Sequence, residues 1–233
     1  AFGGPDGLDV VTPARAQPMA SAVYVDDSAR AHDLLRRAIE QAAENPGETV
    51  RQFQRLLEDF GPRLVPIRDG DPDSFTSVRR RVLEALRADP VLLERHRLLE
   101  TPEAERLLAA GDLERLLATR PLTRPGLEGA LRSGQFALEA ARFDEAIGHL
   151  EAALEHPDAD LPTRVAAWSM LATAAHFAVG RPDLTPEAAA WYRQRGREAL
   201  AALTEAGRPG TAAREAVASL MAAGDGPDLT SAE

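Results

Sequence analysis

The chain contains no cysteine and no lysine, and aromatic residues make up only 5% of its 233 positions. Without cysteine there can be no disulfide, no thiolate zinc site and no cysteine nucleophile. Without lysine there can be no P-loop lysine and no Schiff-base lysine. Because aromatic residues are scarce, the core has to be built from alanine, leucine and valine. Several classes of enzyme are therefore excluded before any motif is considered.

Long apolar runs and a positive net charge are missing as well. No stretch of eighteen apolar residues occurs, so no transmembrane segment is predicted. The formal net charge is −10 at pH 7, which disfavours attraction to nucleic acid and to anionic lipid. Hydrophobic residues nevertheless make up 44% of the chain, which is enough to predict a globular protein with its own core.

Helical periodicity dominates from Ser28 onward. Residues 28–60 contain two apolar stripes, separated at residues 45–48 by the sequence NPGE, which has the capping pattern of a helix start. The stripes are Leu34, Leu35, Ala38, Ile39 and Ala42, followed by Val50, Phe53, Leu56, Leu57 and Phe60. Because a short connection between amphipathic helices favours a helical hairpin, residues 28–60 are predicted to form the first one.

Two more helical hairpins are predicted downstream. The second joins helices with apolar stripes over residues 127–138 and 143–154, and the third joins helices at 165–179 and 187–203. A final amphipathic helix is predicted near residues 210–222. Together these segments predict an all-α protein.

Capping residues followed by proline mark the helix starts between and within these hairpins. The pairs are Asp89-Pro90, Thr101-Pro102 and Thr185-Pro186. A glycine followed by an aspartate, Gly111-Asp112, is typical of one helix ending and the next one beginning. These signals predict separate short helices at about 90–99, 102–110 and 112–118.

The helical pattern breaks at residues 61–77, where four prolines and glycines at Pro62, Pro66, Gly70 and Pro72 interrupt it. Two runs with β character flank a turn-forming segment there, so a short β-hairpin or an extended loop is predicted near residues 63–78. The predicted organisation is therefore a flexible or extended segment at 1–27, a helical domain at 28–223 and a flexible tail at 224–233.

Residues 1–22 are rich in glycine, proline and alanine, and they contain no continuous apolar stretch. They are therefore not an intact signal peptide, but they fit the start of an exported protein after leader removal. An extracytoplasmic location, periplasmic or secreted, is predicted on this basis, with the cytoplasm as the alternative.

Three alternating aspartates, Asp69, Asp71 and Asp73, resemble the start of a calcium loop. An EF-hand would have glycine at the position of Ser74 and glutamate at that of Arg80, so a solvated acidic turn is predicted instead.

The chain also lacks the common catalytic and metal-binding motifs. There is no HExxH pair, no GxSxG elbow, no GxGxxG turn and no Walker loop. His149 and His156 lie two turns apart, too far to share a metal on their own. No metal, no cofactor and no enzymatic activity are predicted; an all-α enzyme that assembles carboxylates in three dimensions is kept as an alternative.

Two groups of arginines are candidate anion sites. Arg79, Arg80 and Arg81 are consecutive, and Arg193, Arg195 and Arg197 alternate near the C-terminal end. Neither run contains an interleaved aromatic residue in an otherwise acidic chain, so nucleic-acid binding is not predicted. Solvent-exposed arginines paired with glutamates one turn away are the expected use.

Residues 127–157 resemble a tetratricopeptide repeat. Gly134 stands where that family keeps a small residue for close helix packing, Ala146 and Ala153 lie seven apart on the second helix with Leu150 between them, and Pro157 ends the repeat. The resemblance implies an irregular solenoid of helical hairpins whose groove holds a segment of a partner protein. The three predicted hairpins do not share the 34-residue period of that family.

A wider similarity covers the segments VYVDDSARAHDLLRRA, RLVPIRDG, FTSVRRRVLEAL and LETPEAERLLAAGDLERLLATRPLT at residues 23–38, 63–70, 75–86 and 99–123. They look like the N-terminal helical region of exported bacterial proteins with a pyrroloquinoline-quinone-like β-propeller. This likeness implies the alternative role of a structural module in a larger assembly. No propeller blades follow in this sequence, so no cofactor function is inferred from it.

The third hairpin concentrates the aromatic residues, which are expected either to fill its core or to face a partner. Aromatic and arginine side chains carry much of the binding energy at protein interfaces. The predicted partner-binding residues are Trp191, Tyr192, Arg193, Arg195 and Arg197. The sequence therefore predicts a non-enzymatic protein-binding or scaffolding module.

Overall fold

The structure, a computed structural model, describes residues 28–67 and 74–206. The predictions for segments 1–27 and 224–233, for the helix near 210–222 and for the three alternating aspartates lie outside these residues. Helices account for 77% of the described chain, which confirms the predicted all-α class. The helices are α1 (Ala29–Glu40), α2 (Pro46–Phe60), α3 (Val78–Ala88), α4 (Pro90–Ala110), α5 (Leu113–Thr119), α6 (Arg124–Glu139), α7 (Phe143–Leu154), α8 (Leu161–Val179) and α9 (Pro186–Glu205).

The predicted β-hairpin is present as two short antiparallel strands, β1 (Leu64–Pro66) and β2 (Phe75–Ser77), with Val65 opposite Thr76. Two strands alone are marginally stable, so they depend on neighbouring helices. Val65 is fully buried in the core formed with α1, α2 and α3, and the Ser28 amide donates to the Leu64 carbonyl at 3.1 Å. The strand pair therefore connects the first hairpin to α3.

Most helices begin at a side chain that accepts a hydrogen bond from a first-turn amide, as the capping pattern requires. These capping residues are Ser28, Asn45, Ser77, Asp89, Asp112, Thr123, Asp160 and Thr185. Gly111 ends α4 in the left-handed region at φ +72°, and its amide donates to the last turn. The predicted starts at Pro90 and Pro186 and the Gly111-Asp112 boundary are confirmed.

The predicted helix start at Pro102 is wrong, because α4 is continuous from Pro90 to Ala110. A proline inside a helix loses one hydrogen bond and crowds the preceding turn. That cost is offset here by burial on both sides of the proline. Leu92 and Leu93 before it, and Ala104 and Leu107 after it, are buried against different neighbours.

The described chain has two main hydrophobic cores of different composition. The first, between α1 and α4, is built from larger side chains such as Phe53, Leu57 and Val82. The second, between α6 and α9, is rich in alanine, including Ala146, Ala172 and Ala199. In this second part each helix packs on the next along the chain, α6 on α7, α7 on α8 and α8 on α9.

Gly134 packs against the facing helix of its hairpin, as the tetratricopeptide-like pattern predicts. A Cβ atom at Gly134 would lie 2.8 Å from Leu150 Cγ and Cδ2 and 3.6 Å from the Ala146 carbonyl oxygen. No side chain larger than hydrogen fits without displacing Leu150. The contact brings α6 and α7 close together and fixes the geometry of the surface beside them.

Candidate protein-binding groove

A groove of about 680 Å³ lies where the two halves of the described chain meet. We call it the central groove. Its walls are α3 and α5 on one side and α6 and α7 on the other. Its volume lies within the range of ligand-binding pockets in proteins. Its lining residues include Arg79, Leu83, Arg87, Ala118, Pro121, Phe136, Arg142, Gly148, His149, Ala152 and His156, with Glu114 and Glu145.

Part of the groove lining is apolar and open to solvent. Phe136 on α6 has 54% of its surface exposed, although it is a large hydrophobic residue. Ala118, Pro121 and Ala152 extend this apolar surface from the neighbouring elements. Gly148 faces open space, since a Cβ atom there would have no atom within 4 Å. The groove can therefore accept an apolar side chain from outside.

Three arginines line the groove, against two glutamates. Arg142 pairs with Glu145 at 3.0 Å, and Arg87 lies 3.9 Å from Glu155. Arg79 is half-buried, and its Nη2 donates to the Leu117 carbonyl oxygen at 2.6 Å. Burial lowers the pKa of the Arg79 guanidinium. In a chain of net charge −10, the groove lining therefore has one more positive than negative side chain.

Burial disfavours the charged form of the two histidines that line the groove. His149 is half-buried and His156 is buried, and burial lowers the pKa of each. The Nδ1 atom of His156 accepts a hydrogen bond from the Asp158 amide at 3.1 Å, which ties it to the loop after α7. The arginines therefore supply the positive charge of the groove near neutral pH.

A second polar cluster joins α2, α4 and the end of α5 inside the protein. Arg120, which is 6% exposed, contacts Glu58 at 2.8 Å and Glu100 at 3.0 Å. Gln54 donates to Glu58 and lies 3.3 Å from Nε2 of the fully buried His96. We call these five residues the buried polar network.

Burial raises the pKa of Glu100, and Arg120 acts in the opposite direction. A carboxylate with a raised pKa in a pocket would favour an enzyme. Glu100 instead faces Arg120 inside the protein and does not line the central groove. This carboxylate therefore gives no support to the alternative of an all-α enzyme.

The structure separates the two adjacent aromatic residues of the third hairpin. Trp191 is 42% exposed, whereas Tyr192 is 3% exposed and belongs to the second core. The Tyr192 hydroxyl donates to Asp144 on α7, and burial together with this bond raises the pKa of Tyr192 to about 12. Tyr192 thus packs within the protein and does not present its ring to a partner, contrary to the sequence-based expectation.

The three alternating arginines on α9 also differ in environment. Arg193 and Arg197 are exposed. Arg195 lies over the Trp191 ring, with 5.5 Å from Cζ to the ring centroid, and pairs with Glu151 at 3.3 Å. Arg195 therefore holds α9 to α7, while Trp191, Arg193 and Arg197 remain on the surface of the third hairpin.

No sequence pattern predicts the central groove as a whole, although α3 carries one signal for it. Arg79, Leu83 and Arg87 are spaced four residues apart and so share one face of α3. They adjoin the buried stripe of Val78, Val82 and Leu86. The remaining lining residues come from three other helices and the loops that follow α5 and α7, which no local pattern brings together.

Among residues 28–67 and 74–206 there is no cluster of metal-ligating side chains, and no helix is long and apolar enough to span a membrane. The chain matches no protein-family model, no curated protein and no solved structure. The tetratricopeptide resemblance and the propeller-associated resemblance therefore remain predictions.

Proposed function

We propose that this protein is a non-enzymatic interaction module that holds a segment of a partner protein in the central groove. The supporting observation is the groove itself: a wall of exposed apolar surface beside arginine side chains, placed between packed helices. Large apolar surface and guanidinium groups supply much of the affinity in protein interfaces. A tetratricopeptide-like stacking of the hairpins, with an extended segment in its groove, fits this role.

The proposal is tested by filling the groove without touching its core. Gly148→Trp places an indole in the open space that Gly148 faces, whereas Gly148→Ala adds only a methyl group there. A random peptide library is selected on the native protein, and the bound peptides are measured on both variants. We expect affinity within about twofold on Gly148→Ala and a loss of about tenfold or more on Gly148→Trp.

Two results contradict the proposal. One is the recovery of no binding peptide at all. The other is unchanged peptide binding by the Gly148→Trp variant, provided that the melting temperature of this variant matches that of Gly148→Ala. The second result would place the bound peptide on another surface.

We also propose that the exposed part of the third hairpin contributes to the interface with a full-length partner. Trp191, Arg193 and Arg197 are available for this role. Trp191→Ala should weaken partner binding by about 1 kcal/mol or more without unfolding the chain. Deletion of residues 160–233 that leaves binding intact would contradict this second surface.

A structural role in a larger assembly is the second candidate function, and one observation favours it. Val91 and Leu98 on α4 are 63% and 69% exposed, and they lie two turns apart on one face of the helix. A contiguous exposed apolar surface is typical of a contact with another protein, whereas isolated apolar residues are common on any surface. Replacing both with aspartate should then disrupt the assembly while leaving peptide binding in the central groove unchanged. Unchanged assembly in this double variant would contradict the structural role.

A further inference from the structure

Arg79 is a half-buried cation without an anionic partner in the described part of the chain. Its Nη2 donates to a backbone carbonyl, and no ion pair joins it to a carboxylate. The neighbouring Arg80 behaves differently, since it is exposed and pairs with Glu84 at 2.9 Å. Removing a charge from water is costly unless a charged group or several hydrogen bonds compensate.

The groove offers Arg79 no carboxylate of its own within reach of an ion pair. The other two groove arginines have partners, Arg142 with Glu145 and Arg87 with Glu155. A guanidinium has five N–H donors in a planar fork, and the bond to Leu117 uses one of them. Arg79 is therefore placed to receive an anion with two acceptor atoms, which describes a carboxylate.

A large apolar surface accompanies this donor in the same groove. Phe136 exposes more than half of its surface there, and Ala152 and Pro121 extend it. A ligand that satisfies both features carries a negative charge next to a large apolar side chain.

We propose that the central groove selects partner segments in which an aspartate or glutamate stands beside a large apolar residue, with the carboxylate on Arg79 and the apolar side chain on Phe136. This inference rests on the proposed function, because it specifies what the groove binds. The occupant is a segment of another protein, and the basis for the choice is charge complementarity between its carboxylate and Arg79.

The experiment uses the peptides selected on the native protein and compares two neighbouring charge-neutralising variants. Arg79→Gln and Arg80→Gln remove the same charge from the same helix, but only Arg79 lines the central groove. We expect Asp or Glu to be enriched at one peptide position. Arg79→Gln should weaken binding by about tenfold or more, and Arg80→Gln by less than about twofold.

A thermodynamic cycle keeps the test valid if Arg79→Gln loosens the contact with Leu117. The enriched acidic residue of the peptide is changed to its amide, which leaves the protein untouched. The amide peptide should bind the native protein about tenfold more weakly and should lose no further affinity on Arg79→Gln.

The outcomes separate this inference from the proposed function. Peptides that Gly148→Trp displaces but that carry no acidic residue overturn the inference and leave the proposed function standing. Equal losses on Arg79→Gln and Arg80→Gln, or an amide peptide that still loses affinity on Arg79→Gln, also overturn it. If no peptide is displaced by Gly148→Trp, the proposed function itself fails.

A carboxylate from this chain is the competing occupant, and the acidic segment at Asp69, Asp71 and Asp73 is its source in the sequence. The three are replaced together by asparagine, and peptide affinity is measured again. We expect a change of less than about twofold. A gain of about tenfold would assign the Arg79 site to this segment and overturn the inference of an external partner.

Discussion

The two halves of the described chain reach stability by different means. Between α1 and α4, branched and aromatic side chains fill the core, and the buried polar network crosses it from α2 to α5. Between α6 and α9, alanine and glycine let the helices approach closely, and the ion pairs described there join side chains that are at least one-third exposed. The first half is therefore sensitive to loss of charge partners, and the second half is sensitive to added volume.

The difference between the halves affects function, because the central groove takes one wall from each half. Arg79 and Leu83 lie on α3 of the first half, whereas Phe136 and Gly148 lie on the second. Damage to either half moves one wall relative to the other. Stability and binding should therefore respond together to core substitutions and separately to substitutions that only line the groove.

The largest effect is expected for Arg120→Met in the buried polar network. Removing this guanidinium leaves Glu100, whose side chain is only 14% exposed, without its charge partner. Breaking a buried ion pair from one side costs about 3–5 kcal/mol. Denaturant unfolding measures the loss, and Arg106→Met is the control because the pair of Arg106 with Glu103 is on the surface. A loss no greater than that of the control would refute a structural role for the network.

The next effect is a loss of stability in acid that depends on His96. Burial lowers the pKa of His96 from 6.5 to about 4, with smaller contributions from Arg120 and Arg97. The unfolded chain thus binds a proton between these values that the folded chain does not. The contribution of His96 to the free energy of unfolding is therefore fully present above about pH 6.5. It falls by on the order of 2–3 kcal/mol as the pH is lowered toward 4.

The raised pKa of Glu100 acts with the opposite sign, because the folded chain then binds a proton more tightly than the unfolded one. A comparison of variants isolates the histidine contribution. The unfolding free energy is measured at pH 7 and pH 4.5 for the native chain and for His96→Gln. We expect a smaller difference between the two pH values in the variant; the same difference in both would show that His96 is not responsible.

In the second half, Gly134→Leu should destabilise the α6–α7 hairpin by about 1–3 kcal/mol, because even a Cβ atom at this position would lie 2.8 Å from the Leu150 side chain. Gly148→Leu on α7 is the matched control, since the same substitution there faces open space. Thermal unfolding compares the two variants. Similar melting temperatures would mean that the close contact at Gly134 does not limit packing.

The smallest effect is expected for Tyr192→Phe, which removes the hydroxyl that donates to Asp144 and keeps the buried ring. The expected cost is about 1 kcal/mol, because the Asp144 carboxylate lies at the surface and water replaces the lost donor. A double-mutant cycle with Asp144→Ala checks this assignment. Additive losses in that cycle would mean that the two groups do not interact.

Local signals in the sequence were sufficient to predict most helix boundaries and the strand pair. Asp89 before Pro90 and Gly111 before Asp112 act through hydrogen bonds to their own helix, so they can be recognised without the rest of the fold. Pro102 shows where such signals fail. Its cost to the helix is local, but the burial that outweighs it comes from several other elements.

The candidate site could be predicted even less well from the sequence, because its geometry depends on how distant helices pack. Trp191 and Tyr192 are adjacent, and which of them is buried depends on where α7 and α8 pack against α9. In the same way, the helical spacing places Arg79 beside the buried stripe of α3, but it does not show that Arg79 contacts Leu117 on another helix.

The most direct test of the central claim is to ask which surface lies against a partner in the cells that make this protein. A photoreactive phenylalanine analogue replaces Ala152, an exposed residue that lines the central groove, or Ala43, an exposed residue of the first hairpin. After irradiation, we predict a covalent adduct with a second protein from position 152, and none from position 43. An adduct from position 43 with none from position 152 would contradict the account.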